Sequence, residues 1–94
     1  MEKVLIIEKD LTLTIQTKEP SFLEVSKAII KFSELISSPE YIYTYKISDI
    51  SVWTAISNGI TKEYITDTLT KHSRFPINKE IFEKINQYYN TYLC

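Results

Sequence analysis

The stretch Ser38–Ile77, SPEYIYTYKISDISVWTAISNGITKEYITDTLTKHSRFPI, organises the fold of this 94-residue chain. Its first part, residues 41–47, has an aromatic or apolar side chain at every second position, which is the period of a strand with one buried face. Gly59 interrupts the pattern that follows. Because only glycine enters the left-handed conformation without steric cost, Asn58-Gly59 predicts a helix end and a tight turn. The stretch therefore predicts a strand, a helix, a sharp turn and a second helix.

The two helices of this stretch have suitable N-caps in Ser48 and Thr61, since a hydroxyl at that position accepts a hydrogen bond from the first turn. Helical spacing predicts an apolar face on each, with Ile50, Trp53 and Ile56 on the first helix and Tyr64, Ile65 and Leu69 on the second. Two helices around a glycine turn also resemble a helix-turn-helix, whose second helix can enter a groove of DNA.

The segment before this stretch contains two predicted elements. Val4–Ile7 is apolar and Leu11–Gln16 alternates apolar with polar residues, so a β-hairpin is expected, with a loop longer than two residues. Ser21 and Glu24 fit a capping box, which predicts a helix that starts there and runs to Ile36. Its core-facing stripe consists of Phe22, Val25, Ile29, Phe32 and Ile36.

A last helix is predicted after Pro76, with Asn78 as its cap. Its wide apolar and aromatic face consists of Ile81, Phe82, Ile85, Tyr88, Tyr89 and Tyr92. The expected fold class is α+β: a small antiparallel sheet made by the N-terminal hairpin and the 41–47 strand, packed on one side by about four helices that include the helix-turn-helix-like pair.

Length and composition limit the possible classes of protein. Ninety-four residues form one domain, 1–94, and 44% hydrophobic residues with a single glycine indicate an ordered globule. The chain lacks an apolar run that could span a bilayer and a basic-then-apolar signal pattern, so no membrane association and a cytoplasmic location are expected. A net charge of −1 disfavours a dedicated nucleic-acid binder. Cys94 is the only cysteine, which excludes an intramolecular disulfide.

The sequence predicts no catalytic and no metal-binding residues. A phosphate-binding loop needs several glycines and a lysine, and the chain has one glycine. His72 is the only histidine and ends a predicted helix, where a capping or packing role is expected because the helix dipole favours a positive charge. The tyrosines share strand and helix faces, which is typical of core packing rather than of base stacking.

Three motifs of the chain resemble a known family in their order and spacing: Tyr43-Thr44-Tyr45, Ser51-Val52-Trp53 followed by Ala55 and Gly59, and His72-Ser73-Arg74-Phe75-Pro76. On these residues the chain resembles the N-terminal domain of XPB-type DNA repair helicases, a superfamily-two ATP-dependent DNA helicase family. It departs from the family pattern at two points. Tyr43 or Tyr41 stands in place of a histidine before the strand tyrosine, and Asp49 stands in place of a proline.

The resemblance implies an accessory role for a chain that is an excised or reduced N-terminal domain of a longer helicase. In that family the ATPase motors, with their ATP and Mg²⁺, lie further along the polypeptide. The N-terminal domain docks the motor domains or a repair or transcription partner protein, in eukaryotes a TFIIH subunit with a similar domain, and helps to position DNA. By the same resemblance, the location would be cytoplasmic and nucleoid-associated, or nuclear in a eukaryotic host.

Two sets of candidate site residues follow. Leu23 and Ile30 lie on the far side of the first predicted helix, so they are packed by the hairpin, exposed, or covered by a partner. Tyr89 and Leu93 are expected to extend this partner-binding set along the last helix. The alternative is a free-standing DNA-binding module whose contacts are Lys62, Lys71 and Arg74, or an adaptor that dimerises through its edge strand or last helix.

Overall fold

The structure, a computed structural model, describes residues 3–92 and confirms the α+β class. Its eight elements, in chain order, are β1 (Ile6–Ile7), β2 (Thr12–Gln16), α1 (Phe22–Ile29), β3 (Glu34–Ser37), β4 (Ile42–Lys46), α2 (Asp49–Ser57), α3 (Lys62–His72) and α4 (Lys79–Thr91). No helix within residues 3–92 has the length and apolar character that crossing a bilayer requires.

The four strands form one antiparallel sheet in the order β1-β2-β4-β3. In the central pair, Leu13 lies opposite Tyr45 and Ile15 lies opposite Tyr43. Leu13, Ile15 and Tyr45 are buried, because alternate side chains of paired strands point to the same, helix-covered face. The sheet therefore contributes one apolar face to a single core.

The hairpin between β1 and β2 confirms the expectation of a longer loop. Four residues separate the strands, and the backbone N–H of Thr12 donates to Asp10 Oδ1 over 3.0 Å. Leu11 has a φ of 69°, which is unfavourable for a side chain with a Cβ. Its side chain is fully buried, so burial of the leucine offsets the strained backbone.

The prediction of one helix from Ser21 to Ile36 is wrong. Helix α1 ends at Ile29, whose carbonyl accepts from the N–H of Phe32 and, over 2.6 Å, from the Ser33 hydroxyl. Residues Glu34–Ser37 then pair with β4 as a fourth strand. Phe32 is buried as predicted, but from the turn between the two elements. The spacing of apolar residues predicted a longer helix because it stays helical from α1 into the β3 strand.

The predicted capping box of α1 is also wrong. Ser21 occupies the N-cap position, but its side chain makes no capping hydrogen bond. The two caps in the central stretch are confirmed: Ser48 accepts from the N–H of Ser51, and Thr61 accepts from the N–H of Tyr64. Asn78 likewise caps α4 by accepting from the N–H of Glu80.

The buried face of α2 is rotated from the predicted one. Ser51, Val52 and Ala55 are buried, whereas Ile50 is 59% exposed. Burial of Ser51 costs little because its hydroxyl accepts from the N–H of Ser48 and donates to the Ser48 carbonyl. Trp53 is half-buried, and its Nε1 donates to the Tyr88 carbonyl over 2.9 Å, which fixes α2 against α4.

The remaining predicted faces are confirmed in part. Ile65 and Leu69 of α3 and Ile81 and Ile85 of α4 belong to the core. Of the alternating residues 41–47, Tyr45 and Ile47 are buried and Tyr43 is half-buried. Tyr41 is 68% exposed, since it precedes the first paired residue of β4.

The N-terminus is joined to the end of α3 by two backbone hydrogen bonds. The N–H of Leu5 donates to the His72 carbonyl over 2.9 Å, and the N–H of Arg74 donates to the Leu5 carbonyl over 2.8 Å. Leu5 and Ser73 form a parallel bridge, so the segment that leaves α3 lies beside the chain entering β1. The chain that enters β1 therefore has a backbone partner at Leu5.

The turn between α2 and α3 should depend on Gly59, whose φ is 85°. A Cβ built there would meet no atom within 4 Å, so the cost of Gly59→Ala is purely one of backbone conformation. We expect Gly59→Ala to lower the free energy of unfolding by about 1 kcal/mol, measured by urea denaturation. Gly59→Asn is the matched variant and should lose less, because asparagine tolerates this conformation. Equal stability of Gly59→Ala and the unchanged chain would contradict the assignment.

Candidate protein-docking site

The two edges of the sheet are unequal. The edge strand β1 is only two residues long, and the chain entering it is bonded to the segment after α3, whereas the edge strand β3 has four residues and pairs, among residues 3–92, only with β4. All four residues of β3 are exposed, including the apolar side chains of Leu35 and Ile36. An exposed strand with unpaired backbone groups is a template for an added strand. The β3 edge is therefore the longer open edge of the sheet.

A cleft of about 160 Å³ lies beside this edge. It is formed by the end of α1, the start of β3 and the first turns of α2. Two isoleucines contribute its apolar part: Ile30 is 48% exposed and Ile50 is 59% exposed. Ser33, Glu34 and Thr54 contribute polar atoms. We call Ile30, Ile50 and the β3 strand together the β3 edge surface.

The β3 edge surface combines the two features that extended peptides use for binding. Unpaired backbone groups of an edge strand offer hydrogen bonds, and a pocket beside them selects an apolar side chain. The charged neighbours are Lys31, whose Nζ lies 5.6 Å from the ring centroid of Tyr64, and the exposed Glu34. This arrangement suits recognition of a protein segment and contains no group placed for bond-making chemistry.

The structure brings only one of the predicted partner-binding residues into this surface. Ile30 lines the cleft, whereas Leu23 is exposed on α1 and is not part of its wall. Tyr89 is half-buried and packs against the core. Leu93 lies outside the described residues. Packing of Leu23 by the hairpin is thereby excluded, and the exposed Leu23 remains a predicted partner contact.

Three residues of the β3 edge surface were missed in the sequence. The helical spacing of Ile50, Trp53 and Ile56 predicts Ile50 in the core, but the structure leaves it 59% exposed. Leu35 and Ile36 were assigned to a helix that in fact ends before them. One signal was available: Pro39 followed by the regular alternation of residues 41–47 favours a hairpin partner immediately upstream.

The three candidate DNA contacts are not gathered on one free basic face. Lys62 Nζ donates to Asn86 Oδ1 over 2.9 Å and lies 5.9 Å from the ring centroid of Tyr89, so this lysine is engaged with α4. Lys71 is exposed at the other end of α3, about 14 Å further along the helix. Arg74 Nη2 is 3.5 Å from Glu19 Oε2, which offsets its charge.

His72 is a packed residue at the end of α3. It is 9% exposed, and its carbonyl accepts the hydrogen bond from Leu5. Burial lowers the pKa of His72 below 6.5, Lys71 acts in the same direction, and Glu24 opposes them. The charged form is therefore disfavoured in the folded chain, so of the two expected roles, capping and packing, the structure supports packing.

The described residues do not fit ATP and Mg²⁺. The chain has a single glycine, in the turn before α3, whereas a phosphate-binding loop needs several glycines. Among residues 3–92 no group of three or more His, Cys, Asp and Glu side chains is placed to hold a metal ion.

Protonation of His72 should make stability depend on pH. Because its folded pKa is lowered, the unfolded chain binds the proton more readily, and stability is expected to fall as the pH drops through 6.5. Urea denaturation between about pH 7 and pH 5 should show a steeper loss than in the His72→Gln variant. The carboxylates are common to both proteins and cancel in the comparison. Identical pH profiles would show that His72 does not contribute.

Alanine substitution of two adjacent isoleucines tests whether Ile30 lines an open cleft rather than the core. Ile29 is fully buried and Ile30 is 48% exposed. We expect Ile29→Ala to lower the free energy of unfolding by about 3 kcal/mol and Ile30→Ala by less than about 1 kcal/mol, since only the first leaves a cavity. Chemical denaturation monitored by circular dichroism measures both. Equal losses would mean that Ile30 is a core residue.

Comparison with known proteins identifies the family to which the chain belongs. Over 73 residues, or 78% of its length, the chain is 33% identical to the protein named DNA 3'-5' helicase XPB of Kineococcus radiotolerans. It is 28% identical over 81 residues to the protein of the same name from Mycobacterium tuberculosis. Over 58 residues it is 36% identical to the general transcription and DNA repair factor IIH helicase/translocase subunit XPB of Enterocytozoon bieneusi.

These matches cover 78%, 86% and 62% of this chain but only 13%, 15% and 10% of the three relatives, so the chain spans a small part of their length. Residues 5–93 match the family model described as "Helicase conserved C-terminal domain". That description does not confirm the expected N-terminal location. The match covers nearly the whole chain, and the chain therefore belongs to the helicase conserved C-terminal domain family, as a domain of XPB-type helicases.

Proposed function

We propose that this chain is a non-catalytic accessory domain of an XPB-type DNA repair helicase, which docks the motor domains or a partner protein through the β3 edge surface. The observation that carries the proposal is the open β3 strand beside the Ile30–Ile50 cleft. The opposite edge strand, β1, is two residues long and follows a residue bonded to the segment after α3, so β3 is the longer edge strand available for pairing.

Exposure of four apolar side chains at this one end of the sheet supports a docking role. Ile30, Leu35, Ile36 and Ile50 are each between 44% and 59% exposed. A monomeric domain gains stability from covering such groups, and a partner that covers them gains affinity from the same apolar area. Leu23 and Tyr89 remain predicted contacts outside this surface.

The absence of activity in the chain itself is part of the proposal. Its single glycine cannot form a phosphate-binding loop, so ATP hydrolysis, ATP and Mg²⁺ are assigned to the motor domains of the parent helicase. The domain would contribute by holding the motor in position on DNA. Its location would be that of the parent: cytoplasmic and nucleoid-associated, or nuclear in a eukaryote.

The position of the domain in the parent polypeptide is a separate part of the proposal. The motif resemblance supports a location before the motor domains, whereas the description of the matching family names a C-terminal domain. The gene sequence on either side of this chain decides between the two locations. Helicase motor motifs after the chain would mean an N-terminal domain, and motor motifs before it would mean a C-terminal domain.

Direct DNA binding is the less favoured function, because the helix pair lacks a free basic face. Lys62 is bound to α4, Arg74 is paired with Glu19, and the net charge is −1. Nonspecific affinity for DNA comes mainly from lysine and arginine side chains that neutralise phosphates. Without several such side chains together, affinity for DNA alone should be weak.

The proposal is tested by binding of the 94-residue chain to a motor-domain fragment of an XPB helicase, measured by isothermal titration calorimetry. We expect Ile30→Asp and Ile50→Asp each to weaken binding about tenfold or more, since a carboxylate cannot enter an apolar contact without losing its hydration. Ile42→Asp is the matched control, because Ile42 is similarly exposed, at 41%, and does not line the cleft.

Fluorescence anisotropy with labelled single-stranded and forked DNA supplies the opposing outcome. The docking proposal is wrong if the chain does not bind the motor fragment and instead binds DNA with a steep salt dependence. In that case we expect Lys71→Glu to abolish the binding to DNA. Equal weakening by Ile42→Asp and Ile30→Asp would also contradict the docking proposal, because the β3 edge surface would then have no special role.

A further inference from the structure

The hydrogen-bond pattern of β4 shows which of its residues bond β3. Successive residues of an antiparallel strand turn their backbone N–H and C=O groups to opposite neighbours. Just after β4, the N–H of Ile47 donates to the Leu11 carbonyl over 3.0 Å, on the β2 side. Lys46 and Thr44, which alternate with Ile47 and Tyr45, therefore turn their backbone groups toward β3.

This pattern leaves backbone groups of β3 directed away from the sheet. Glu34 lies opposite Lys46 and Ser37 lies opposite Thr44, so both bond β4. Leu35 lies between them and directs its N–H and C=O outward. The register is irregular after Leu35, and within the described chain the neighbouring Ile36 has no partner on β4. Two adjacent residues of this edge thus offer backbone groups to an added strand.

The two faces of β3 present different side chains to such a strand. Leu35 lies opposite a buried tyrosine of β4 and so points to the helix-covered face, where Ile30 and Ile50 line the cleft. Glu34 lies opposite Lys46 and points to the other face of the sheet. An added strand therefore meets apolar groups on one face and a carboxylate on the other.

The charge around this edge is negative. Residues 34–57 contain three acidic residues and one lysine. The three carboxylates, those of Glu34, Glu40 and Asp49, are exposed, and none of them forms an ion pair among residues 3–92. They lie on β3 itself, in the turn after β3, and at the start of α2 next to Ile50. The acidic groups thus surround the free edge and the cleft.

The nearby lysines do not neutralise these carboxylates. Lys46 Nζ donates to the Asp10 carbonyl in the β1–β2 loop, so this side chain is directed away from β3. Lys31 is the cation in the cleft wall, and its Nζ lies 5.6 Å from the ring centroid of Tyr64. The edge is therefore complementary to a partner with positive charges.

We propose that the segment docked on β3 is an extended strand in which lysine or arginine alternates with branched apolar residues. This inference rests on the proposed function and names the partner chemistry of the same site. The backbone of the strand bonds Leu35 and Ile36, its apolar side chains point to the cleft, and its cations lie beside Glu34. Because side chains of a strand alternate between its faces, a period of two satisfies both requirements at once.

A second copy of the chain and a nucleic acid strand fit this edge less well. Pairing of two β3 strands would bring together the acidic edges of both copies, and like charges on neighbouring strands are destabilising. A phosphate backbone would meet the same three carboxylates. A basic strand is the occupant that the charge of the edge favours.

The test is fluorescence anisotropy of the 94-residue chain with a short fluorescein-labelled peptide of alternating lysine and valine. We expect this peptide to bind, and the same peptide with glutamate in place of lysine not to bind. Glu34→Lys and Ile50→Ser should each weaken binding about tenfold. Both side chains are exposed, so the variants should fold.

Matched variants separate the edge from general attraction between charges. Glu83→Lys makes the same charge change on exposed α4, and Ile42→Ser removes a similarly exposed isoleucine outside the cleft, so both should bind the peptide unchanged. Equal weakening by Glu34→Lys and Glu83→Lys would overturn the assignment of the cations to β3. Equal affinity for the glutamate peptide would overturn the charge selection.

Two further peptides test strand pairing itself. One carries N-methyl groups at its lysines and the other at its valines. Alternate residues of a strand donate to opposite edges, so one methylated peptide should lose binding and the other should keep it. Loss or retention of binding by both peptides would overturn backbone pairing with β3.

This inference and the proposed function fail separately. If a motor fragment binds through Ile30 and Ile50 while the lysine–valine peptide does not bind, the proposed function stands and the basic strand is wrong. If the peptide binds and the motor fragment does not, docking of the motor is wrong and recognition of a basic strand stands.

Discussion

The backbone bonding of Leu5 to the segment after α3 is the constraint on which the domain depends. Leu5 lies near the N-terminus and Ser73 lies at the end of the central stretch, yet the N–H and the carbonyl of Leu5 are bonded to His72 and Arg74. These bonds close the fold by joining its first strand to its helix pair. They also give the chain before β1 a backbone partner, whereas the edge strand β3 pairs only with β4 among the described residues.

Local rules predicted the central stretch well, because its signals are independent of long-range contacts. Gly59 adopts a φ of 85°, and Ser48 and Thr61 cap the two helices as expected. A positive φ and a hydroxyl cap act within a few residues of their own position. The β4 strand followed from its period of two, although its first tyrosine, Tyr41, lies outside the core.

Tertiary contacts decided what the local pattern could not. Residues 22–36 keep a helical spacing of apolar side chains, but Glu34–Ser37 pair with β4, whose outer side would otherwise lack a partner. In α2, the reciprocal hydrogen bonds of Ser48 and Ser51 turn Ser51 inward, and Ile50 outward. The candidate docking site consists largely of these residues. The sequence therefore predicted only Ile30 of this site, because it placed Leu35 and Ile36 in a helix and Ile50 in the core.

The hydrogen bond from Trp53 Nε1 to the Tyr88 carbonyl has a spectroscopic consequence. Trp53 is the only tryptophan, so the intrinsic indole emission of the domain comes from a single, half-buried side chain at the contact of α2 with α4. Separation of these helices would release the indole to water and shift its emission to longer wavelength. The domain thus carries a label-free optical reporter of its own helix packing.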